Sequence, residues 1–327
     1  MPASYTIISP VKDEADHIER TLRSVCAQTL RPRRWIVVDD GSSDGTAGLV
    51  QRYAAEHEWI EYVKRDSSAR RARGGAVVQA FNEGLARVAD LDRDDVVVKL
   101  DGDLYLPPHY FDWVMSTFEG NPAAGIVGGR ALVPSESGWD WDPVNPTNVH
   151  GAFKAYRLSC FRAIGGLHAS MGWDGIDEYA ARARGWQVLP LSELTVLHYA
   201  KRGSKQRGLR PRWEEGRGSH WIGYTWPFAM LRAGYRALVE QPRILGGGVL
   251  GVSFAWHRIT GQPQVSDSIA LQQVRREQRA ALRALLRGRS RHHLPDPLHG
   301  PAYDATLARG DGAVEAGLRA APSDRAS

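Results

Sequence analysis

The sequence predicts an α/β protein: a mostly parallel sheet with helices on both faces, followed by a helical extension. Three observations carry this. Over the first hundred residues, strand-like apolar runs alternate with runs of helical period. Two of the strand-like runs, WIVV at 35–38 and VVVKL at 96–100, are almost continuously apolar, as strands covered on both faces are. The charge also changes sign near residue 200: residues 1–200 hold 21 Lys and Arg against 27 Asp and Glu, and residues 201–327 hold 21 against 10. The expected division is an α/β domain over 1–200, a basic and apolar helical extension over 201–290, and a disordered Pro/Gly/Ala/Asp/Arg-rich tail over 291–327.

In order, residues 5–9 (YTIIS) read as a strand that stops at Pro10. Asp16 is placed to cap a helix whose apolar positions Ile18, Leu22, Val25 and Cys26 follow helical spacing, which makes Cys26 a buried core thiol. The strand 35–38 ends in Asp39-Asp40-Gly41-Ser42-Ser43-Asp44-Gly45, and a helix capped by Asp44 follows over 46–57. A strand at 59–63, a helix over 75–88 and the strand 96–100 come next, the last running into Asp101-Gly102-Asp103. Beyond it, 125–129 reads as a strand, 138–146 as a Trp/Pro-rich loop and 172–178 as an acidic segment before a helix at 179–184. Strand sequence at 187–190 and 194–197 ends at His198. Two apolar stretches, 219–231 and 244–256, are each shorter than the roughly 20 residues a bilayer crossing needs. An Arg-rich amphipathic helix is expected over 274–287.

Composition narrows the class. Of 327 residues, 43% are apolar and 24% charged, which excludes collagen-like, wholly disordered and polytopic membrane chains. Cys26 and Cys160 are far apart with no CxxC pair, so neither a disulfide framework nor a cysteine-based zinc site is indicated. The first residues contain no apolar signal core, and a cytoplasmic location is the expectation. No nucleic-acid-binding module is recognisable.

In parallel sheets ligands sit beyond the carboxyl ends of the strands, and both acidic clusters fall there. Asp101 and Asp103, separated by a glycine, can face one hard divalent cation that shares its shell with substrate phosphates. Asp39 and Asp40 can accept hydrogen bonds from a nucleobase or ribose. Arg70, Arg71 and Arg73 precede a helix start and suit a diphosphate.

Together these motifs (YTIISPVKDEADHIERTLRSVCAQT, IVVDDGSSDGT, FNEGLA and VKLDGD) resemble family 2 glycosyltransferases with the GT-A fold. The order and spacing agree over about 100 residues and more loosely to His198. The resemblance implies a nucleotide-sugar-binding part over 1–104 and an acceptor-binding part over 105–200. It implies inverting transfer of a sugar from a nucleotide-diphosphate donor to a hydroxyl of a glycan or lipid-linked acceptor, in cell-envelope or exopolysaccharide synthesis. Pro10, Asp13, Asp39, Asp40, Arg73 and Asp101 would contact the donor, and Asp101, Asp103 and His198 would hold Mg2+ or Mn2+. The general base falls in the acidic segment, Asp174 first and Asp177 second, with Glu178 left to complement the helix dipole. Ile164-Gly165-Gly166-Leu167 resembles the family's acceptor-side loop.

Processive members of that family carry QxxRW and several spanning helices; here Arg210-Pro211-Arg212-Trp213 lacks the glutamine, so addition of a single sugar is expected. The basic segment 201–217 and the aromatic-flanked apolar stretches suggest peripheral attachment to the cytoplasmic face of a membrane. Core helices or a dimer interface are the other reading of those stretches. The rival functions are a nucleotidyltransferase, for which SPVKDEADH lacks the glycine-rich lysine loop, and a non-catalytic nucleotide-sugar-binding scaffold.

Overall fold

The computed structural model describes residues 4–65, 75–88, 90–91, 95–135, 138–142, 146–170, 172–199, 209–239 and 242–287. Arg70, Arg71 and Arg73, most of the basic segment before residue 209, and the tail lie outside them.

Four strands form the parallel half of the sheet: β1 (Tyr5–Val11), β2 (Arg34–Asp39), β3 (Ile60–Lys64) and β4 (Val96–Leu100), in the order β3-β2-β1-β4. Strand β1 runs through Pro10 instead of stopping there. Its odd residues face β2, as the bond from the Asp40 N–H to the Val11 carbonyl shows, so Pro10 faces the β4 side. Pairing with β4 ends at Ile8 with Lys99, and the proline's missing N–H falls where no ladder bond is needed.

The other half is mixed. After β5 (Leu104–Tyr105) and helix α4 (Tyr110–Gly120) come β6 (Ala124–Ser135), β7 (Gly138–Trp141), β8 (Phe153–Arg157) and β9 (Gln187–His198). The path continues from β4 to antiparallel β8, antiparallel β6, parallel β9 and antiparallel β5, with β7 paired to β6. The fold is therefore α/β with a parallel first half and a mixed second half. The expected loop at 138–146 includes a hairpin strand, and 187–198 is one strand that keeps its pairing through a register shift opposite Gly128 and Arg130.

Alternation along the strands sorts the core into two layers. Ile7, Val37 and Val98 pack on one face with α1 (Ile18–Cys26), α2 (Thr46–Glu56) and α4, through Leu22, Val50 and Val114. Ile8, Val38 and Val97 pack on the other with α3 (Gly75–Ala86), α5 (Leu158–Ala163) and α6 (Trp173–Ala183), through Phe81, Cys160 and Trp173. Helix α3 lies close because Gly84 has no side chain: a Cβ there would meet Ile8 at 2.7 Å and Val38 at 2.8 Å. Helix α1 begins after His17, with no side-chain cap from Asp16, and Cys26 at its end is half-buried, not fully buried.

Helices α7 (Arg210–Trp221), α8 (Trp226–Val239), α9 (Arg243–Ile259) and α10 (Ser268–Leu286) continue the second layer, with Ile222, Phe254, Ala270 and Val274 in the same core as Trp173. The apolar stretch 219–231 straddles the end of α7 and the start of α8, and 244–256 lies within α9. Among the described residues no helix is long and apolar enough to cross a membrane. Helix α10 is tied to α6 by the Arg184–Asp267 ion pair at 2.8 Å.

Two lysines hold the junction between the halves. Lys99 of β4 and Lys154 of β8 face each other across the antiparallel pair, and both are buried. Lys154 Nζ lies 2.9 Å from Asp177 Oδ2 and 2.9 Å from Glu178 Oε1, both on α6, and the Tyr156 hydroxyl donates to Asp177 Oδ2 at 2.6 Å. Arg182 adds a further bond to Glu178 Oε2. Burial raises the Glu178 carboxyl to about 7 against the pull of Lys154.

Lys154→Met should destabilise the protein by about 3–5 kcal/mol in urea denaturation, because two buried carboxylates lose their common cation. Glu178 binds its proton more tightly folded than unfolded, so its contribution to stability falls as pH rises from 4.5 to about 7. Glu178→Gln has no such proton to lose and should gain on the wild type across that window, by at most about 1.4 kcal/mol per pH unit.

Candidate active site

The carboxyl ends of β1, β2 and β4 and the start of α6 converge on one region. Following β4, the Asp101 N–H is held by the Ala152 carbonyl, and its Oδ1 pairs with Lys99 Nζ. The same ammonium donates to the Gly151 carbonyl at 2.9 Å and lies 5.1 Å from the centre of the Trp173 ring. Desolvation at this crowded strand end raises the Asp101 carboxyl above its ordinary value, outweighing the charge of Lys99.

Asp103 is buried, with Oδ2 3.2 Å from His198 Nε2 at the end of β9. The pairing of β5 with β9, Leu104 with His198, brings these two residues together across 95 positions of chain. Burial alone would raise the Asp103 carboxyl, but the His198 bond and charge, with Lys99, outweigh it and hold it below the usual carboxylate range. Burial likewise lowers His198, and the bond to Asp103 and the charges of Asp103, Asp101 and Asp142 raise it above its ordinary value.

The residues fit a divalent cation. Asp103 Oδ1 and His198 Nδ1 are buried with no hydrogen-bond partner among the described residues. A carboxylate and an imidazole are oxygen and nitrogen donors that suit Mn2+ or Mg2+, whereas Asp101, with Oδ1 on Lys99, is not among the three side chains whose ligand atoms converge most closely. Sequence reasoning missed a second acid–histidine pair beside this one. His150 Nε2 lies 2.8 Å from Asp142 Oδ2, its ring stands edge-on to His198 at 5.2 Å, and one potential ligand atom from each of Asp142, His150 and His198 lies within 4.8 Å of the others. The Ala152 N–H donates to His150 Nδ1, which fixes the proton on Nε2, facing Asp142. Nothing in the spacing of 142 and 150 signals this; the folding of β7 and β8 around β6 creates it. Lys99 was legible only as a lysine in an apolar strand.

The loops after β1 and β2 are stitched together. Lys12 Nζ donates to the carbonyls of Asp40 and Gly41, and Asp13 Oδ1 accepts from the Ser43 N–H and hydroxyl. Asp13 has φ +52°, the left-handed region that Asp tolerates better than most residues. Asp44 accepts from the Ala15 and Thr46 N–H groups, and Thr46 Oγ1 accepts from the Glu14 N–H. Asp39 is buried, with Oδ1 on the Ser42 N–H and Oδ2 on the Tyr62 hydroxyl. Asp40 pairs with Arg65 at 2.7 Å. Asp39 thus shapes the loop from within, and Asp40 lies at its edge with a cation beside it.

The two base candidates part company. The segment expected to precede a helix is itself the first turns of α6. Asp174 is exposed and packs on Gly151: a Cβ at 151 would sit 3.2 Å from Asp174 Oδ2. Since the Gly151 carbonyl receives Lys99, Asp174 is one residue removed from the ammonium that holds Asp101. Asp177, one turn on, is buried with both oxygens bonded to Lys154, and Glu178 is buried within the helix rather than placed at its start.

The region 6–173, just over half of the chain, matches the family model described as glycosyl transferase family 2. A part of it is similar to the poly-beta-1,6-N-acetyl-D-glucosamine synthase of Staphylococcus aureus (strain MSSA476), with 27% identity over 132 residues, 40% of this chain and 29% of that protein. The aligned part therefore spans under a third of that relative. Among solved structures, S. aureus TarS 1-349 in complex with UDP-GlcNAc gives a TM-score of 0.54 at 12% identity, covering 90% of this chain and 95% of that one. GalNAc-T7 with UDP, GalNAc and Mn2+ gives 0.53 at 12% identity, covering 80% and 56%. At such identities the likeness is one of fold, and the fold is GT-A. With the model matched from β1 to the first residue of α6, this chain belongs to glycosyl transferase family 2.

Proposed function

We propose that the protein transfers a single sugar, with inversion, from a nucleotide-diphosphate donor to a hydroxyl of a glycan or lipid-linked acceptor in cell-envelope polysaccharide synthesis. The observation that carries this is a short chain of contacts: the exposed Asp174 packs on Gly151, whose carbonyl takes the same Lys99 ammonium that pairs with Asp101. A base and a phosphate-binding carboxylate joined by so short a chain of contacts can serve one donor and one acceptor together. Support comes from the relatives: the S. aureus protein is named as a poly-beta-1,6-N-acetyl-D-glucosamine synthase, which supports polysaccharide synthesis, and TarS was solved with UDP-GlcNAc, which supports a nucleotide-sugar donor.

In this reading Asp103 and His198, with Asp101 beside them, hold a divalent cation, which when bound neutralises the charge of the donor diphosphate. Asp13, Asp39, Asp40 and Pro10 form the floor under the nucleoside. Asp174 takes the proton from the acceptor hydroxyl as its oxygen forms the new bond to the anomeric carbon. The bond from that carbon to the phosphate oxygen breaks on the opposite side, and the nucleoside diphosphate departs with the electron pair. Lys154 already occupies Asp177, which therefore serves as an anchor for α6 and not as the base. Arg210, Arg212 and Trp213 lie on α7 without the glutamine of processive enzymes, in keeping with one addition per encounter. The enzyme works peripherally at the cytoplasmic face of a membrane.

Among nucleoside diphosphates tested with and without Mn2+, one should raise the melting temperature only with metal, and Asp103→Ala should abolish that rise. No stabilisation by any of them would remove the donor-site reading in favour of a scaffold. Asp174→Asn should lower kcat by about 10²–10⁴-fold with little change in donor KM, whereas Asp177→Asn should act chiefly on melting temperature.

A further inference from the structure

Helices α8 and α9 carry their apolar residues on the wrong side for an ordinary surface helix. On α8 the exposed residues are Trp226, Pro227, Met230, Leu231, Gly234, Tyr235 and Leu238, an arc of half the helix with no charged side chain. On α9 the exposed stripe Leu245, Gly248, Val252, Trp256 and Ile259 recurs at 3- and 4-residue spacing. It lies opposite the buried face of Gly246, Gly247, Leu250, Ser253 and Phe254. Leu238, Ile244 and Ile259 are 76%, 79% and 78% exposed, values far from those of core side chains. The two helices lie against each other through Gly247, where a Cβ would come 2.4 Å from the Ala233 carbonyl oxygen, so their outward stripes lie side by side. A continuous apolar surface of this kind marks a contact with another phase or another molecule.

The charges at its border choose between occupants. Of the four arginines in residues 226–259, Arg232 donates to the Tyr224 hydroxyl and Arg236 lies beside Glu215, while Arg243 and Arg258 stand at the border; the one acidic residue in this stretch is Glu240. Arg243 is exposed at the start of α9, next to Ile244 and Leu245, and Arg258 adjoins Ile259 at its other end. Across a two-fold axis a second copy would set this cationic border against itself, which like-charge repulsion opposes. Anionic headgroups meet it with the opposite sign, and Trp226, Tyr235 and Trp256 are the aromatic types that settle at a headgroup boundary. We propose that the exposed face of α8 and α9 is the surface by which this protein lies on an anionic lipid bilayer, Leu231, Leu238, Val252 and Trp256 entering the acyl boundary and Arg243 and Arg258 pairing with headgroup phosphates. The inference rests on the peripheral-membrane part of the reading above and not on the chemistry of the carboxylates.

The experiment is flotation of the full chain with phosphatidylglycerol vesicles and with phosphatidylcholine vesicles. The wild type should float with the anionic vesicles and much less with the neutral ones, and salt should weaken the binding. Leu238→Glu combined with Val252→Glu and Trp256→Glu should reduce the partition by at least about ten-fold. These side chains are exposed, so the variant should keep its melting temperature and its Mn2+-dependent stabilisation by the donor diphosphate. Failure of the wild type to float overturns the proposal and the peripheral-membrane reading, while the diphosphate result decides the donor site separately. Equal flotation of variant and wild type keeps the membrane and overturns this face as its contact. A wild-type dimer that the variant converts to monomer, without vesicle binding, assigns the face to a second copy and also overturns the proposal.

Discussion

Two ammonium groups held side by side in an apolar sheet are the constraint on which the rest of this structure depends. The register of β4 and β8 sets Lys99 against Lys154, a like-charge pair that opposes strand pairing unless each is matched at once. Asp101 matches the first; Asp177 and Glu178 match the second. The price of unmatched buried charge thus forces the strand end that bears Asp101 and the helix that bears Asp174 to assemble together. The indole of Trp173 is close to both cations, 5.1 Å from Lys99 and 6.0 Å from Lys154, so the first residue of α6 also helps to place them.

This junction is also where the sheet changes from parallel to antiparallel. A parallel strand delivers its carboxyl end to the ligand side, and β1, β2 and β4 do so with Asp13, Asp39, Asp40 and Asp101. The antiparallel β8 runs the other way and brings its leading residues, His150 to Ala152, to that same side. Parallel β9 then delivers His198 there. Mixed topology lets loops before one strand and after another meet at one place.

The first, parallel half was largely legible in the sequence because its signals are local. Continuous apolar runs at 35–38 and 96–100 could only be buried strands, and each ended in carboxylates. The second, mixed half was less so. Strand β8 escapes periodicity because the charges of Phe153–Arg157, Lys154 and Arg157, fall three residues apart and break any two-residue alternation, both being bonded inside the fold. The acidic turn of α6 reads as a loop since three carboxylates in five residues seem to demand water, whereas two of them have a buried lysine waiting. Asp142 and His150 depend on long-range register that no local pattern encodes. Of the two base candidates that the resemblance offered, Asp174 is exposed and Asp177 is buried on Lys154.

The clamp between the first two loops has a thermodynamic consequence. Lys12, Asp13, Asp44 and Thr46 tie the turn after β1 to the turn after β2 by side-chain bonds to backbone groups on the opposite turn. Segments so tied have surrendered their conformational entropy at folding, before any ligand arrives. A molecule settling on that floor meets a surface already in its final form, and the association need not fund a disorder-to-order transition there.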